Sequence, residues 1–473
     1  MSSATLPNQR LAKLENFGHS IERPVYLYRP TQPEEVAELF ELAKKENILI
    51  GLRGAGRSYG DASITAGGIV LDFQRMNRIL DWNPDTGVIT AEPGVTIEQL
   101  WRHTLEDGWW SPVMPGTMFP TIGGCLGANI HGKNNWKNGT LGEHVLSFTA
   151  LLPNGEKKIC TPTRNKDLFY GIISGMGLLG VFTSITLQMK KIYSGNLEVT
   201  AWAEPNLRGV LEATDENKEE DYIVGWVDST ARGRGLGRGQ MHSARYLKEG
   251  EDPHPAVSLN ALNQDLPDTI MGLVPKSIVW RIMRLGLVNL GAWAGNTAKY
   301  LLNRTLGNNK TYLQSLVAFT FLLDYVPNWE RAYGRGGMIQ YQSFVPFDTA
   351  HDTYREILQL SQRCGLPAYL GVMKRHRPDN FLFSHAADGF SLALDYKVPY
   401  HREEKLVNLT RELNRVVLSG GGRFYFAKDS TLTPEDVATY LGEETVTKFK
   451  RLKADVDPGH ILQTDLYRRC FGG

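Results

Sequence analysis

The first clear pattern is a helical one. Val36, Leu39, Phe40 and Ala43 recur at helical spacing between Thr31 and Lys45. Thr31 is placed to cap this helix and Pro33 suits its first turn. Glu34 and Glu35 come early and Lys44 and Lys45 late, as the helix dipole favours. Short apolar runs at 48–52, 67–73 and 88–92 predict strands. Thr96 and Gln99 have capping-box spacing and predict a helix over 97–106. Runs at 146–153 and 181–189 predict two more strands, bracketing a helix over 167–174. After Tyr193 the character changes. Residues 196–245 read as strands with a loose basic glycine loop at 233–239, and further strands are predicted at 337–346, 367–374 and 390–398. The tail from 420 opens with a strand over 423–429. Helices and strands mix without a clean βαβ repeat, which predicts an α+β fold.

Composition narrows the function classes. The chain has 473 residues, of which 42% are hydrophobic and 10% aromatic, ample for a large core. Lys and Arg number 52 against 51 Asp and Glu, a net charge of +1. That balance argues against a nucleic-acid binder, which needs a basic excess. The four cysteines, Cys125, Cys160, Cys364 and Cys470, show neither paired nor zinc-ligand spacing, and no metal site is expected. The first residues lack an apolar signal core and no apolar run reaches spanning length, so a cytoplasmic protein is expected. Glycine, at 48 residues, is about a tenth of the chain, above the usual ~7%.

The glycines cluster where chemistry is expected. After the strand at 48–52 come Arg53, Gly54, Ala55, Gly56, Arg57, Ser58, Tyr59, Gly60 and Asp61. Successive backbone N–H groups in such a loop make an anion nest suited to a pyrophosphate, although a plain tight turn has the same composition. A second cluster holds Pro115, Gly116, Thr117, Thr121, Ile122, Gly123, Gly124, Asn129, His131, Gly132, Lys133 and Asn134. Two glycine-lined segments point to a ligand larger than a mononucleotide. Gly175, Gly177 and Gly180 fit the spacing of a dinucleotide fingerprint, but a helix precedes them and a strand begins at Val181. That order is the reverse of the Rossmann arrangement. No Walker loop, H-E-x-x-H or G-x-S-x-G string occurs.

These strings, with Trp329 to Gly334, Gln340 to Gln342 and Tyr425 to Ser430, resemble the vanillyl-alcohol-oxidase and p-cresol-methylhydroxylase type flavoproteins, and within them the polyprenylphosphoryl-ribose 2′-oxidase branch. The resemblance covers nearly the whole chain. It implies a two-domain fold: an FAD-binding unit from 1–195, a substrate or cap domain on an antiparallel sheet over 196–419, and a segment 420–473 completing the FAD unit. The residues of both glycine clusters, with Gly177, Gly180, Val181 and Tyr425, would bind FAD. Many relatives carry a flavin-bonded histidine in the first loop. The matching position is Arg57, so non-covalent FAD is expected. Gln340, Gln342, Lys374, Ser391, Ala393 and Lys428 match substrate-side positions, and Lys428, His131 and Tyr59 are the catalytic candidates. The base is left open between His131, Lys428 and water. Ala393 stands where the mycobacterial relatives carry cysteine, and Thr320 where they carry a substrate-site tyrosine.

The implied reaction is FAD-dependent oxidation of a secondary sugar alcohol, at C2 of a polyprenylphosphoryl pentose, giving the keto intermediate of an epimerisation in cell-wall sugar synthesis. A nicotinamide-dependent keto-reductase would complete it. Oxidation of a soluble aldose, alditol or other alcohol is the alternative. Between 269 and 323 there is no Asp or Glu, but Lys276, Arg281, Arg284, Lys299, Arg304 and Lys310 lie among Trp280, Trp293 and many aliphatics. This reads either as a peripheral membrane-binding helix or as a buried cap helix with solvated charges.

Overall fold

The computed structural model describes residues 6–270 and 272–472. Residues 1–5, part of the expected 1–195 unit, lie outside them, as do Met271 (within the acid-free stretch) and Gly473.

Three sheets carry the fold. In the first, Leu11–Glu15 pairs antiparallel with Glu22–Tyr28, which runs parallel to Ile69–Asp72, itself parallel to Ile50–Arg53. Helix Pro33–Glu46 covers this sheet, burying Val36, Phe40 and Ala43 with Ile50, Ile69 and Leu71. The expected cap differs. Gln32 occupies the N-cap position without a side-chain bond, and Thr31 instead bonds Glu35 through both its amide and its hydroxyl. The second sheet is antiparallel, in the order Ile79–Asn83, Val88–Ala91, Val181–Gln188, Val145–Leu151, Lys157–Cys160. Beside it, helix Ile97–Thr104 opens with the predicted Thr96 and Gln99 capping box and buries Leu100 and Trp101.

The third sheet has eight antiparallel strands. Their order is Lys310–Ser315, Asn196–Glu204, Gly239–Tyr246, Tyr222–Val227, Leu370–His376, Gly389–Lys397, Met338–Pro346, Arg423–Phe424. One face takes the helices Phe347–Arg363 and Glu403–Ser419: Tyr341 bonds Asn414 at 3.1 Å and Tyr354 bonds the Phe390 carbonyl at 2.7 Å. Because side chains alternate along a strand, the residues between these, Gln340 and Gln342, face the other way.

Two further differences from the sequence reading matter here. Residues 196–245 also contain the helix Leu207–Glu216, capped by Asn206 and burying Leu207, Val210 and Leu211 at helical spacing. The tail strand is only Arg423–Phe424 and joins the edge of the eight-stranded sheet. Beyond it the chain turns, with the Lys428 amide donating back to the Tyr425 carbonyl, so Lys428 sits on a turn and not on a strand. The end of the chain returns to the first sheet, where Leu462 bridges Ile50.

Candidate active site

A cavity of about 830 Å³ runs between the two glycine-lined segments and the open face of the eight-stranded sheet. That is at the upper end of the roughly 300–1,000 Å³ of small-molecule sites. The first loop forms one end. Gly56 has φ 66°, a left-handed turn, and a Cβ there would meet the Arg53 guanidinium at 2.2 Å. Among the described residues, the backbone N–H groups of Ala55, Gly56, Arg57 and Ser58 meet no protein acceptor. Arg57 lies between Phe17 and Phe119, 5.2 and 5.0 Å from the ring centroids, and its buried Nε has no partner. Donors held open in this way await an anion.

The second segment lines the middle. Thr121 caps the short helix Ile122–Gly127, and a Cβ on Gly123 would come 2.7 Å from Pro93, so glycine is what lets this helix lie on the 93–94 turn. Asn129 accepts from the Gly142 amide at 2.9 Å and Asn134 donates to the Pro112 carbonyl at 2.9 Å, holding the segment from behind.

At the far side the sheet supplies polar groups in register. Gln342 pairs with Ala393 and Ala393 with Val372; Gln340 pairs with Asp395; Lys374 pairs with Ser391. The Gln342 amide donates to His131 Nε2 at 3.1 Å, which places that ring's proton on the unpartnered Nδ1. Burial, reinforced by Lys374 and neighbouring histidines, pushes His131 well below the ordinary histidine value, so it is neutral. His376 and His385 lie against it, with ring centroids 4.8 and 5.3 Å away, and His376 is bonded to the Ser391 hydroxyl at 2.7 Å. Among the described residues no cluster is arranged to hold a metal ion.

Lys428 projects from its turn over the Tyr59 ring, 3.7 Å from the centroid. Burial pulls its ammonium down to about 7, with Asp395 opposing and Lys374 assisting. Asp395 is fully buried, accepts from Gln340 at 2.6 Å, and keeps its other oxygen without a partner; burial pushes it up to about 7.

A cavity lined by an anion-seeking loop together with cationic and amide groups has the donor set for a flavin dinucleotide. Comparison with known proteins agrees. A family model described as FAD binding domain matches residues 24–161. The decaprenylphosphoryl-beta-D-ribose oxidase of Mycolicibacterium smegmatis is 29% identical over 99% of both chains. The chain carries an FAD-binding domain and is an oxidoreductase similar to the vanillyl-alcohol-oxidase and p-cresol-methylhydroxylase type flavoproteins. L-gulonolactone oxidase of Bos taurus is 28% identical over 42% of this oxidoreductase and 44% of its own length. D-lactate dehydrogenase of Anaerostipes hadrus is 30% identical over 35% of this chain and 36% of its own.

In this flavoenzyme most of the predicted site residues do line one cavity: Arg53 to Tyr59, Pro115 to Thr117, Thr121, Gly123, Gly124, His131, Lys133, Gly177, Gly180, Val181, Gln340, Gln342, Lys374, Ala393, Tyr425 and Lys428, with Thr320 beside them. Gly60, Asp61, Ile122, Asn129, Gly132, Asn134 and Ser391 do not reach its wall. Asp61 instead takes a two-pronged bond from Arg469, at 2.9 and 2.8 Å, and Arg469 also bonds Asp429 at 2.8 Å. Ile122 is packed in the core, and Ser391 stands behind Gln342 and His376. Sequence reasoning missed Asp395, His376 and His385. Asp395 had a signal, since it continues the alternation of Ser391 and Ala393. The two histidines, isolated in sequence, had none.

Proposed function

We propose that this oxidoreductase oxidises the C2 hydroxyl of a polyprenylphosphoryl pentose, in the manner named for its mycobacterial relative, to the keto intermediate of an epimerisation. Bound FAD, held without a covalent bond because Arg57 fills the loop position, supplies the hydride acceptor at N5. We read 1–195 with 420–473 as the FAD-binding unit and 196–419 as the cap in a two-domain arrangement. The residues of 53–61 and 115–134, with Gly177, Gly180, Val181 and Tyr425, would serve the cofactor, those off the wall by bracing it.

The observation that carries this reading is that Gln340, Gln342, Lys374, Lys428 and His131 line one cavity. The two glutamines orient sugar hydroxyls. Lys428, whose ammonium is pulled to about 7 by burial, takes the hydroxyl proton in its neutral form, over the ring of Tyr59. Neutral His131, held by Gln342, is a hydrogen-bond donor at Nδ1 and does not compete for that proton. The product's reduction by a nicotinamide-dependent keto-reductase would complete the epimerisation.

A lipid-linked substrate goes with a cytoplasmic enzyme resting on a membrane. Of 25 exposed large hydrophobic residues among those described, 14 fall between Leu273 and Leu322. Helix Lys276–Gly286 buries no residue and Asn289–Leu302 buries only Ala292 and Tyr300, which supports the membrane reading over a buried cap helix. No helix among the described residues is long and apolar enough to cross a membrane.

The test is anaerobic bleaching of the flavin absorbance in the purified protein. Short-chain polyprenylphosphoryl ribose should bleach it and free ribose or alditols should not; the opposite result removes the lipid-linked assignment. Release of the flavin by acid checks the non-covalent claim.

A further inference from the structure

The cavity wall contains six Lys or Arg residues, Arg53, Arg57, Lys133, Lys299, Lys374 and Lys428, and two histidines, but no Asp or Glu. A flavin dinucleotide brings two phosphate charges, and the loop holding Arg53 and Arg57 lies at the end suited to them. Lys133 and Lys299 line the same cavity, near enough to His242 for their charges to act on it. Lys299, from helix Asn289–Leu302, lines the cavity with its ammonium 4.2 Å from the Trp226 ring centroid. His242 faces the same space. It pairs across the sheet with Val224, and Val224 and Trp226 both line the cavity. Lys133 reaches in from the glycine segment, donating to the Phe319 and Thr320 carbonyls, the latter at 3.2 Å.

None of these three has an acidic partner among the described residues. Burial and Lys374 push Lys133 down to about 7, and burial alone takes Lys299 to about 8. Burial, then the charges of Lys133 and Lys299, hold His242 down to about 4. Cations gathered without a counter-charge oppose one another and favour any anion that enters between them.

We infer that His242 and Lys299, with Lys133 moved from the cofactor set to the substrate side, form a subsite for the phosphate ester of the substrate. This rests on the reading of the cavity as a sugar-oxidising site and assigns one part of its ligand. The phosphate takes charge-assisted hydrogen bonds from the two ammonium groups and from His242. Trp226, whose ring lies beside the Lys299 ammonium, gives an apolar neighbour to whatever the phosphate carries.

The test uses the FAD-loaded enzyme, with inorganic phosphate and farnesyl phosphate as probes, read by the change in flavin fluorescence and by inhibition of substrate-dependent bleaching. Both probes should bind saturably. Lys299→Gln and His242→Gln should each weaken phosphate at least fivefold, with FAD content per protein unchanged. Tighter binding of farnesyl phosphate identifies the natural source as a lipid-linked phosphate; equal binding retains the subsite and identifies a soluble sugar phosphate. Variants that bind both probes as the parent does overturn the inference. If phosphate binds as expected but no sugar bleaches the flavin, the proposed function fails and the subsite stands.

Discussion

The Lys428 amine and the Asp395 carboxyl are both held near 7 by burial. For a proton acceptor the neutral amine is the active form, so kcat/KM should rise with pH through about 7 and then level. Asp395 raises the Lys428 value. Asp395→Asn removes that support, and the rising limb should move to lower pH. A limb that stays in place would separate the two residues. Lys428→Ala should reduce turnover by about 10²- to 10⁴-fold while FAD remains bound. Full turnover in that variant would pass the base role to another group. These roles were only partly legible. Lys428, Gln342 and His131 stood in matched strings, whereas Asp395 becomes visible as a partner only when Gln340 is placed across from it, a strand register that the sequence does not state.

Among the elements, the strands were the most legible part, because short β-rich apolar runs bounded by glycine and proline leave few other choices. What the sequence concealed was the path of the tail. An apolar run such as 423–429 satisfies a strand pattern, yet it turns after two residues because the amides of 428 and 429 bond back to Tyr425. Asp61 was placed among cofactor ligands for a similar reason: a charged residue ending a glycine loop looks like a ligand until Arg469, 408 positions away, is seen to claim it. Arg469→Met would leave Asp61 and Asp429 without their shared partner. Removing one side of a buried ion pair costs about 3–5 kcal/mol, reduced here to roughly 2–4 because Arg469 is partly exposed. A thermal denaturation scan should show the loss, with a lower FAD content. At the other end of the loop, Gly56→Ala places a methyl group against the Arg53 guanidinium at φ 66°, and should lower flavin occupancy in the purified protein more than it lowers the melting temperature.

For the whole molecule, the exposed apolar residues of 273–322, together with Arg281, Arg284 and Arg304, favour an anionic bilayer. The protein should sediment with vesicles containing phosphatidylglycerol and not with phosphatidylcholine alone. Leu285→Glu with Leu290→Glu should abolish this while leaving the flavin spectrum unchanged. Association that ignores lipid charge would remove the electrostatic half of the proposal. The acid-free composition announced this surface; its exposure did not follow from the pattern, since an amphipathic stretch with tryptophan packs equally well under a cap.

The brace between Asp61 and Arg469 also bears on biogenesis. While the protein is being synthesised, the ribosome completes the loop proposed to hold the diphosphate long before it adds the Arg469 guanidinium that braces Asp61, and contacts so distant in sequence make for slow folding. On the proposed assignment of that loop, a fragment holding only the first sheet should retain less coenzyme than the full chain.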